Sequence, residues 1–149
     1  MRYYIAGPMT GIAGFNVPAF DRLAAILREE GHDVVSPVEL DGAESRAIIM
    51  ASETGSHADL PPGETWGFYL SRDVKLLADD GIQGVVCLPG WETSSGARLE
   101  TFTAKALLGL PVYGWYGRGV GMVALNATAL VRAWAGGLWD DVVLPGRGR

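Results

Sequence analysis

The stretch RYYIAGPMTGIAGFNVPAFDRLAAILREEGHDVVSP, residues 2–37, predicts a β-strand, a helix and a second β-strand in succession. RYYIAG has strand composition, and the polar loop GPMTGIAGFN follows it. Helical spacing of apolar residues begins at Pro18, after a cap at Asn16 or Val17, and ends at Gly31, and DVVSP has the composition of the second strand. Two strands joined through one helix are parallel, with a right-handed crossover. The loop after the first strand therefore lies at the carboxyl edge of the sheet, where open α/β sheets bind ligands.

The rest of the chain continues the same alternation of strands and helices. The predicted elements are strands at GVVCL (84–88) and PVYGW (111–115), a candidate fifth strand at DVVL (141–144), and helices over 64–80, 95–109 and 122–136. We therefore expect an α/β fold of three layers around a four- to five-stranded parallel sheet. It forms one domain over residues 1–144, with a flexible C-terminal tail at 145–149.

Residues 38–63 are the least regular part of the sequence. A short helix is possible around ESRAIIMAS, residues 44–52, and ETGSHADLPPG, residues 53–63, has loop composition. A connection of this length is typical of a lid or a binding loop.

Composition and charge exclude several classes of partner. The chain has 149 residues and a formal net charge of −5, and its basic residues are scattered apart from GRGR at the C-terminus, so polymeric nucleic acid is not expected. Cys87 is the single cysteine, which excludes an internal disulfide, and His32 and His57 have no metal-ligand spacing around them. We expect neither a metal nor a cofactor.

The distribution of apolar residues bears on location and assembly. No apolar stretch is long enough for a signal peptide or a membrane span, so we expect a cytoplasmic protein with no membrane partner. Five tryptophans and 48% hydrophobic residues are rich for this length. They favour a homodimer or a higher homo-oligomer.

Three loops follow strands at the predicted carboxyl edge of the sheet: GPMTG (7–11), PGWETSSG (89–96) and YGRGVG (116–121). We expect the ligand pocket in their neighbourhood. GPMTG has neither the GK[ST] ending of a P-loop nor the GxGxxG spacing of a dinucleotide site. Plain turn chemistry explains it equally well.

The stretch TSSGARLE, residues 93–100, carries a more specific signal. Ser94, Ser95 and Gly96 stand at the start of a predicted helix, where free N–H groups and the helix dipole favour an anion such as a phosphate. The two hydroxyl groups would also suit a sugar. Ordinary capping of the helix by either serine is the alternative.

Glu100 lies too far along that helix to complete a capping box with Ser94 or Ser95, which requires a spacing of three. Its position is at the margin of the stripe that we expect Leu99, Phe102 and Ala106 to bury. The carboxylate should therefore be partly shielded and close to the loop. A surface position in the first turns is the alternative.

Asp73 is a second acid in an unusual position, because Leu70 and Leu77 place it within an apolar stripe of its helix. A salt bridge to Arg72 or Lys75 would account for it. Two acids on the inward faces of neighbouring helices also resemble a pair of catalytic carboxylates.

Four motifs in order resemble the nucleoside 2-deoxyribosyltransferase-like superfamily, in particular its short bacterial and phage branch of uncharacterised members. They are YIAGPMTG with FNVPAF behind it, RD in the helix over 64–80, LPGWETSSGARLE, and the trailing LGLPVY. The resemblance covers roughly residues 3 to 115 and implies a flavodoxin-like (Rossmann-like) domain that assembles as dimers or larger oligomers. It also implies an enzyme of nucleotide metabolism, a hydrolase or a transferase, acting on N-glycosidic bonds.

The resemblance implies a role for each matching residue. Glu100 is the expected nucleophile and Asp73 the second catalytic acid, which orients the site or assists proton transfer to the departing base. The expected contacts to a small-molecule nucleoside or nucleotide are Tyr4, Gly7, Met9, Thr10, Gly11, Asn16, Trp91, Ser94 and Gly96. Among these, Tyr4 and Trp91 are candidates to stack on the base, or else belong to the core.

Three functions remain open from the sequence. Hydrolysis of a (deoxy)nucleoside 5′-monophosphate to base and sugar phosphate is the first, because water needs no second pocket. Base exchange between deoxynucleosides is the second. A nucleotide-binding or sensing module without turnover is the third.

Overall fold

The computed structural model describes residues 1–79 and 81–136, which form an α/β fold. The strands in this part of the chain are β1 (Arg2–Ala6), β2 (Asp33–Val35), β3 (Gly84–Cys87), β4 (Val112–Trp115) and β5 (Met122–Ala124). The helices are α1 (Val17–Glu29), α2 (Ala43–Ala51), α3 (Trp66–Asp79), α4 (Ser95–Phe102) and α5 (Ala127–Ala135). Within these described ranges no helix is long and apolar enough to cross a membrane.

The strands form one sheet in the order β2-β1-β3-β4-β5. β1 pairs in parallel with β2 and with β3, and β3 pairs in parallel with β4. The chain leaves β1 towards one edge of the sheet to form β2 and later returns to its other side to form β3. This reversal makes the junction of β1 and β3 a topological switch point, where a crevice opens beyond the carboxyl ends of the strands.

Alternate residues of β1 point into two separate cores, as the pleat of a strand requires. Tyr3 and Ile5 pack with buried side chains of α1 and with Ile49 of α2. Tyr4 and Ala6 face the opposite side, where they join the buried residues of α3, α4 and α5. Helices therefore cover both faces of the sheet, and the predicted three layers are confirmed.

The C-terminal part of the sheet differs from the prediction. The helix expected over 122–136 begins only at Ala127, and Met122–Ala124 form β5, which runs antiparallel to β4. A tight turn reverses the chain here, with the Gly121 N–H donating to the Gly117 carbonyl at 2.7 Å. Asn126 caps the start of this helix, with its side chain accepting from the Ala129 N–H at 2.9 Å. The sheet is therefore mixed, not wholly parallel.

The candidate strand at 141–144 and the tail at 145–149 lie outside the described residues. Other predicted boundaries agree with the structure more closely. The helix expected over 95–109 is present as α4, continued by a π-helical turn at Thr103–Leu107 and ended at Gly109, whose φ is 68°. The short helix suggested at 44–52 is α2.

The connection between β2 and α3, residues 36–65, folds over the loop that follows β1. The Gly11 N–H donates to the Gly55 carbonyl at 2.9 Å, and the Gly14 N–H donates to the Ser52 carbonyl at 2.7 Å. The Gly55 N–H in turn donates to the Ser52 hydroxyl at 2.9 Å. These bonds fix the middle of the connection against the β1 loop and position its side chains for the site.

Gly55→Ala should lower the free energy of unfolding by about 2 kcal/mol or more, because two costs combine at this position. Its φ is +64°, and an added Cβ would approach the Ile12 carbonyl oxygen to 2.3 Å. Gly63→Ala is the matched control, since its φ is +80° with no neighbour within 4 Å. Urea denaturation of both variants measures the difference. Equal losses would contradict the close approach of Gly55 to the β1 loop.

Candidate active site

A cavity of about 550 Å³ lies at the carboxyl ends of β1, β2 and β3. This volume is within the range of small-molecule sites, roughly 300 to 1,000 Å³. Three parts of the chain line it. They are the β1 loop with Pro8, Met9, Thr10, Ile12 and Phe15; the start of α4 with Thr93, Ser94, Ser95, Gly96, Ala97 and Glu100; and the connection with α3, through Asp41, Ile49, His57, Leu60, Trp66 and Tyr69.

Glu100 is a buried acid in the wall of this cavity, with 6% of its surface exposed. The fully buried Tyr4 hydroxyl donates to Glu100 Oε1 at 2.9 Å, joining β1 to α4. Burial raises the pKa of Glu100 well above its usual value, and the charge of Asp73 raises it further. The bond from Tyr4 and the nearby charge of Arg72 act in the opposite direction on this pKa.

The side of α4 that faces the sheet explains why Glu100 is buried. Ala97, Glu100 and Thr101 of α4 are buried, as are Thr103 and Ala104 of the π-helical turn, whereas Leu99 and Phe102 are 40% and 41% exposed and Ala106 is also exposed. The expectation that Leu99, Phe102 and Ala106 form the buried stripe is therefore wrong. Small alanines allow α4 to approach the sheet closely, and the larger side chains turn outward, where Phe102 packs edge-on against Trp134 at 5.2 Å.

The N-terminus of α4 forms a polar part of the cavity wall. The Ser94 hydroxyl caps the helix by accepting from the Ala97 N–H at 3.3 Å, so the capping role considered from the sequence is present. Ser94, Ser95 and Gly96 also line the cavity. First-turn N–H groups have no partner within a helix, and they favour a negatively charged or hydroxyl-rich ligand here.

A chain of three charged residues lies beside Glu100. Arg72 donates through Nε to Asp73 Oδ1 at 2.9 Å and through Nη1 to Asp41 Oδ1 at 2.7 Å. Its Nη2 donates to the Pro37 carbonyl at 3.1 Å, which ties α3 to the end of β2. Burial raises the pKa of Asp73 to about 6, against the lowering effect of Arg72. Asp73 thus has the salt bridge considered as its alternative role.

The third wall is aromatic. Trp66 and His57 stack with ring centroids 5.9 Å apart and an angle of 26° between the rings, and His57 Nε2 lies 3.0 Å from the Thr10 hydroxyl. Tyr69 lies one helical turn beyond Trp66 and hydrogen-bonds through its hydroxyl to Glu64. The connection is therefore joined to the β1 loop through His57 and Thr10 and to α3 through the ring of Trp66.

Five of the predicted site residues line the cavity: Met9, Thr10, Ser94, Gly96 and Glu100. Tyr4 lies directly behind Glu100 and binds it, so it contacts the site from the core. Asp73 is 6% exposed and does not line the cavity, although its charge acts on Glu100. Its expected role, to orient the site or to assist proton transfer to a departing base, stays a prediction.

The other residues predicted to contact a ligand do not line the cavity, and they lie in the core or shape the β1 loop. Trp91 is buried in the core on the Tyr4 side of the sheet, which is the packing alternative. Asn16 donates through Nδ2 to the Pro8 carbonyl at 2.9 Å and so holds the β1 loop. Gly7 permits close approach of the two loops, since a Cβ there would lie 2.8 Å from Leu88 Cβ. Gly11, with φ of 82°, bonds to the connection.

Sequence reasoning assigned no site role to several cavity residues, among them Asp41, His57, Trp66 and Tyr69. Trp66 and Tyr69 have the i, i+3 spacing of one helical face, which was a usable signal. Asp41 and His57 belong to the irregular connection, where no periodicity places a side chain. The loop YGRGVG, expected near the pocket, is instead the turn between β4 and β5 and does not line the cavity. In the described part of the chain, no three His, Cys, Asp or Glu residues cluster to hold a metal ion.

Comparison with known proteins gives a family and no function. A family model described as a domain of unknown function, DUF4406, matches residues 1–113, which include all the cavity residues. No curated protein and no solved structure matches the chain.

Replacing the buried carboxyl should stabilise the protein at alkaline pH. The raised pKa values of Glu100 and Asp73 mean that the folded protein binds more protons than the unfolded chain, so stability falls as pH rises through that window. For Asp73 the window runs from 3.8 to about 6. At pH ~8, Glu100→Gln should raise the free energy of unfolding by about 1 to 3 kcal/mol.

Denaturant titrations at several pH values test this expectation. The gain should disappear in acid, where Glu100 carries a proton in both states. Glu92→Gln is the control, because Glu92 is an exposed acid in the turn Trp91–Thr93 that precedes α4. A loss of stability in the Glu100 variant at alkaline pH would contradict the burial of an ionisable group at this position.

Proposed function

The chain belongs to the DUF4406 family of domains of unknown function, and we propose that it is an enzyme that breaks the N-glycosidic bond of a nucleoside or nucleotide. The favoured reaction is hydrolysis of a (deoxy)nucleoside 5′-monophosphate to free base and sugar phosphate. One observation carries this proposal: the buried Glu100 carboxyl lines the cavity and is held by Tyr4. A carboxylate fixed in a shielded site suits attack on an anomeric carbon.

The proposed reaction has two displacement steps at the anomeric carbon. Glu100 forms an ester bond to this carbon while the bond to the base nitrogen breaks, and the electron pair of that bond leaves with the base. Water then attacks the same carbon, the ester bond breaks, and Glu100 is regenerated as a carboxylate. The two protons of the water end on the sugar hydroxyl and on the base, so that the steps sum to hydrolysis.

Tyr4, Arg72 and Asp73 act on the nucleophile and do not line the cavity. The Tyr4 hydroxyl orients the carboxylate through Oε1, and we assign the attack on the anomeric carbon to Oε2. Arg72 favours the ionised form of Glu100, whereas Asp73 opposes it. Asp73 is thus assigned a positioning role through Arg72, the first of the two roles that the resemblance implied.

The start of α4 is the proposed site of the sugar phosphate. Ser94, Ser95 and Gly96 line the cavity on the same helix as Glu100, a little more than one turn away. No Lys or Arg lines the cavity in the described ranges. A phosphate would therefore be bound by N–H groups, hydroxyls and the helix dipole.

Membership of the nucleoside 2-deoxyribosyltransferase-like superfamily and a flavodoxin-like fold belong to the same proposal. The strand order β2-β1-β3-β4-β5 and the parallel pairing of the first four strands support it. The antiparallel β5 departs from the wholly parallel sheet that the resemblance implied.

A cytoplasmic location and a homodimer also remain proposals. The homodimer is supported by the exposed side chains of Leu99, Phe102 and Val131 on α4 and α5.

Base exchange is the second candidate reaction, since the same glycosyl ester could be attacked by a second base. A sensing module without turnover is the third. Hydrolysis and exchange share the ester formed by Glu100 and differ in the need for an acceptor base, whereas a sensing module forms no ester at all.

Incubation of the protein with nucleosides and their 5′-monophosphates, with and without an acceptor base, should release free base, detected by chromatography. Glu100→Ala should lower the rate by roughly 10³ or more, because the nucleophile is removed. Glu92→Gln should retain the rate. Release unaffected by Glu100→Ala would contradict the assignment of the nucleophile, and binding without release would favour the sensing module.

The pH dependence of kcat/KM should move in opposite directions in two further variants. Asp73→Asn removes a charge that raises the pKa of Glu100, so the acidic limb should move to lower pH. Tyr4→Phe removes a hydrogen bond that lowers this pKa, so the limb should move to higher pH. Initial rates from pH ~4 to ~9 measure both shifts. Lower rates without opposite shifts would mean that both residues are merely structural.

A further inference from the structure

Asp41 is an acid in the cavity wall that the proposed mechanism does not use. Its side chain is 5% exposed, yet it lines the cavity. It lies just beyond the end of β2, on the opposite side of Arg72 from Asp73. Desolvation opposes the charge of this nearly buried carboxylate, so hydrogen-bond donors must compensate for the lost contact with water.

Arg72 satisfies only part of this carboxylate. Its Nη1 donates to Asp41 Oδ1 at 2.7 Å, and no described residue donates a hydrogen bond to Oδ2. Arg72 itself is held by Asp73 and by the Pro37 carbonyl, so the guanidinium and Asp41 have fixed positions. A fixed acceptor atom inside a cavity matches a ligand that supplies a hydrogen-bond donor.

The surface beside Asp41 suits a flat ring. Trp66 is 40% exposed and is backed by the stacked ring of His57. Tyr69 continues the same face of α3 one turn further, and its ring packs against Arg72, with the guanidinium carbon 5.1 Å from the ring centroid. Aromatic side chains of this kind stack on nucleobases, at roughly 1 to 3 kcal/mol per base.

The two ends of the cavity belong to different elements. Glu100 and the serines come from α4, whereas Asp41, Trp66 and Tyr69 come from the β2 end and α3. A sugar whose anomeric carbon meets Glu100 must direct its base away from the start of α4. Two walls remain, the β1 loop and the aromatic surface with Asp41, and the second offers both an exposed ring, that of Trp66, and a carboxylate.

We propose that this wall binds the nucleobase, and that Asp41 selects bases with an exocyclic amino group over bases with a carbonyl at the same position. The inference rests on the proposed function for the location of the sugar. A carboxylate accepts hydrogen bonds and donates none, so an amino group binds it and a carbonyl oxygen is repelled. Sites with buried polar groups discriminate strongly against analogues that leave those groups unpaired.

The proposal is tested with pairs of nucleosides and monophosphates in which a carbonyl replaces the amino group and the neighbouring ring nitrogen gains a hydrogen: cytidine with uridine, and adenosine with inosine. The wild type should release base from the amino member with a kcat/KM at least roughly 10-fold higher. Asp41→Asn should bring the ratio towards one, because the amide can donate to a carbonyl while its oxygen still accepts from Arg72. Equal rates for the two members in the wild type would overturn the proposal without any variant.

Glu39→Gln is the control for Asp41→Asn. Glu39 lies two residues earlier, and its two oxygens accept from Arg28 at 2.6 and 2.7 Å. It does not line the cavity, so its replacement removes the same charge and should leave the ratio unchanged. An Asp41→Asn variant that folds, by circular dichroism, and keeps the wild-type ratio would also overturn the proposal.

Binding of the same pairs to the Glu100→Ala variant, measured by calorimetry, separates this proposal from the catalytic one. Binding that is selective for the amino member, and that is lost when Asp41→Asn is added, supports the role of Asp41. If the wild type then releases no base, only the catalytic proposal fails. Base release without selectivity would overturn the role of Asp41 and retain the enzyme. Binding of neither member overturns both.

Discussion

The hydrogen bond from Tyr4 to Glu100 joins the centre of the sheet to the helix that forms the cavity wall. Both groups are almost fully removed from solvent, so each needs the other to satisfy its polar atom. The bond fixes the direction of α4 relative to β1, and with it the position of the helix start where Ser94 and Gly96 lie. Burial of Glu100 is thus a constraint on the fold as well as the source of its proposed reactivity.

The positive charge of Arg72 offsets part of the cost of placing these acids out of water. One guanidinium contacts two acids, Asp73 in the core and Asp41 in the cavity wall, while its charge also acts on Glu100. Without Arg72, the neighbouring buried carboxyls of Asp73 and Glu100 would favour the neutral form more strongly, because two like charges repel each other. Arg72 therefore couples the proposed reactive end of the cavity to the proposed base-binding end, and a base bound at Asp41 would change the field at Glu100.

The sequence predicted the elements that carry periodicity and the motifs that lie at their ends. The sequence of residues 2–37 predicts β1, α1 and β2. The distance of Glu100 from the serines excluded a capping role and led to the expectation of a shielded carboxylate near the loop. The orientation of α4 was not predictable from hydrophobicity, because the small residues Ala97 and Ala104 face the sheet while Leu99 and Phe102 are largely exposed. Close packing of a helix on a sheet selected small side chains there, and a stripe of large residues is no guide to such a face.

Asp41 and His57 show why the rest of the site could not be predicted. Both lie in the connection between β2 and α3, whose path depends on backbone bonds from Gly11 and Gly14 to a segment about 40 residues away. Bonds of this kind leave no side-chain pattern in the sequence. The β1 loop and α4 carry the residues of the proposed reaction, whereas the connection and the start of α3 carry those of the proposed base-binding surface. Residues of the connection could therefore change the proposed selectivity while Glu100 and Tyr4 stay fixed, because the bond between those two residues joins β1 to α4 and includes no residue of the connection.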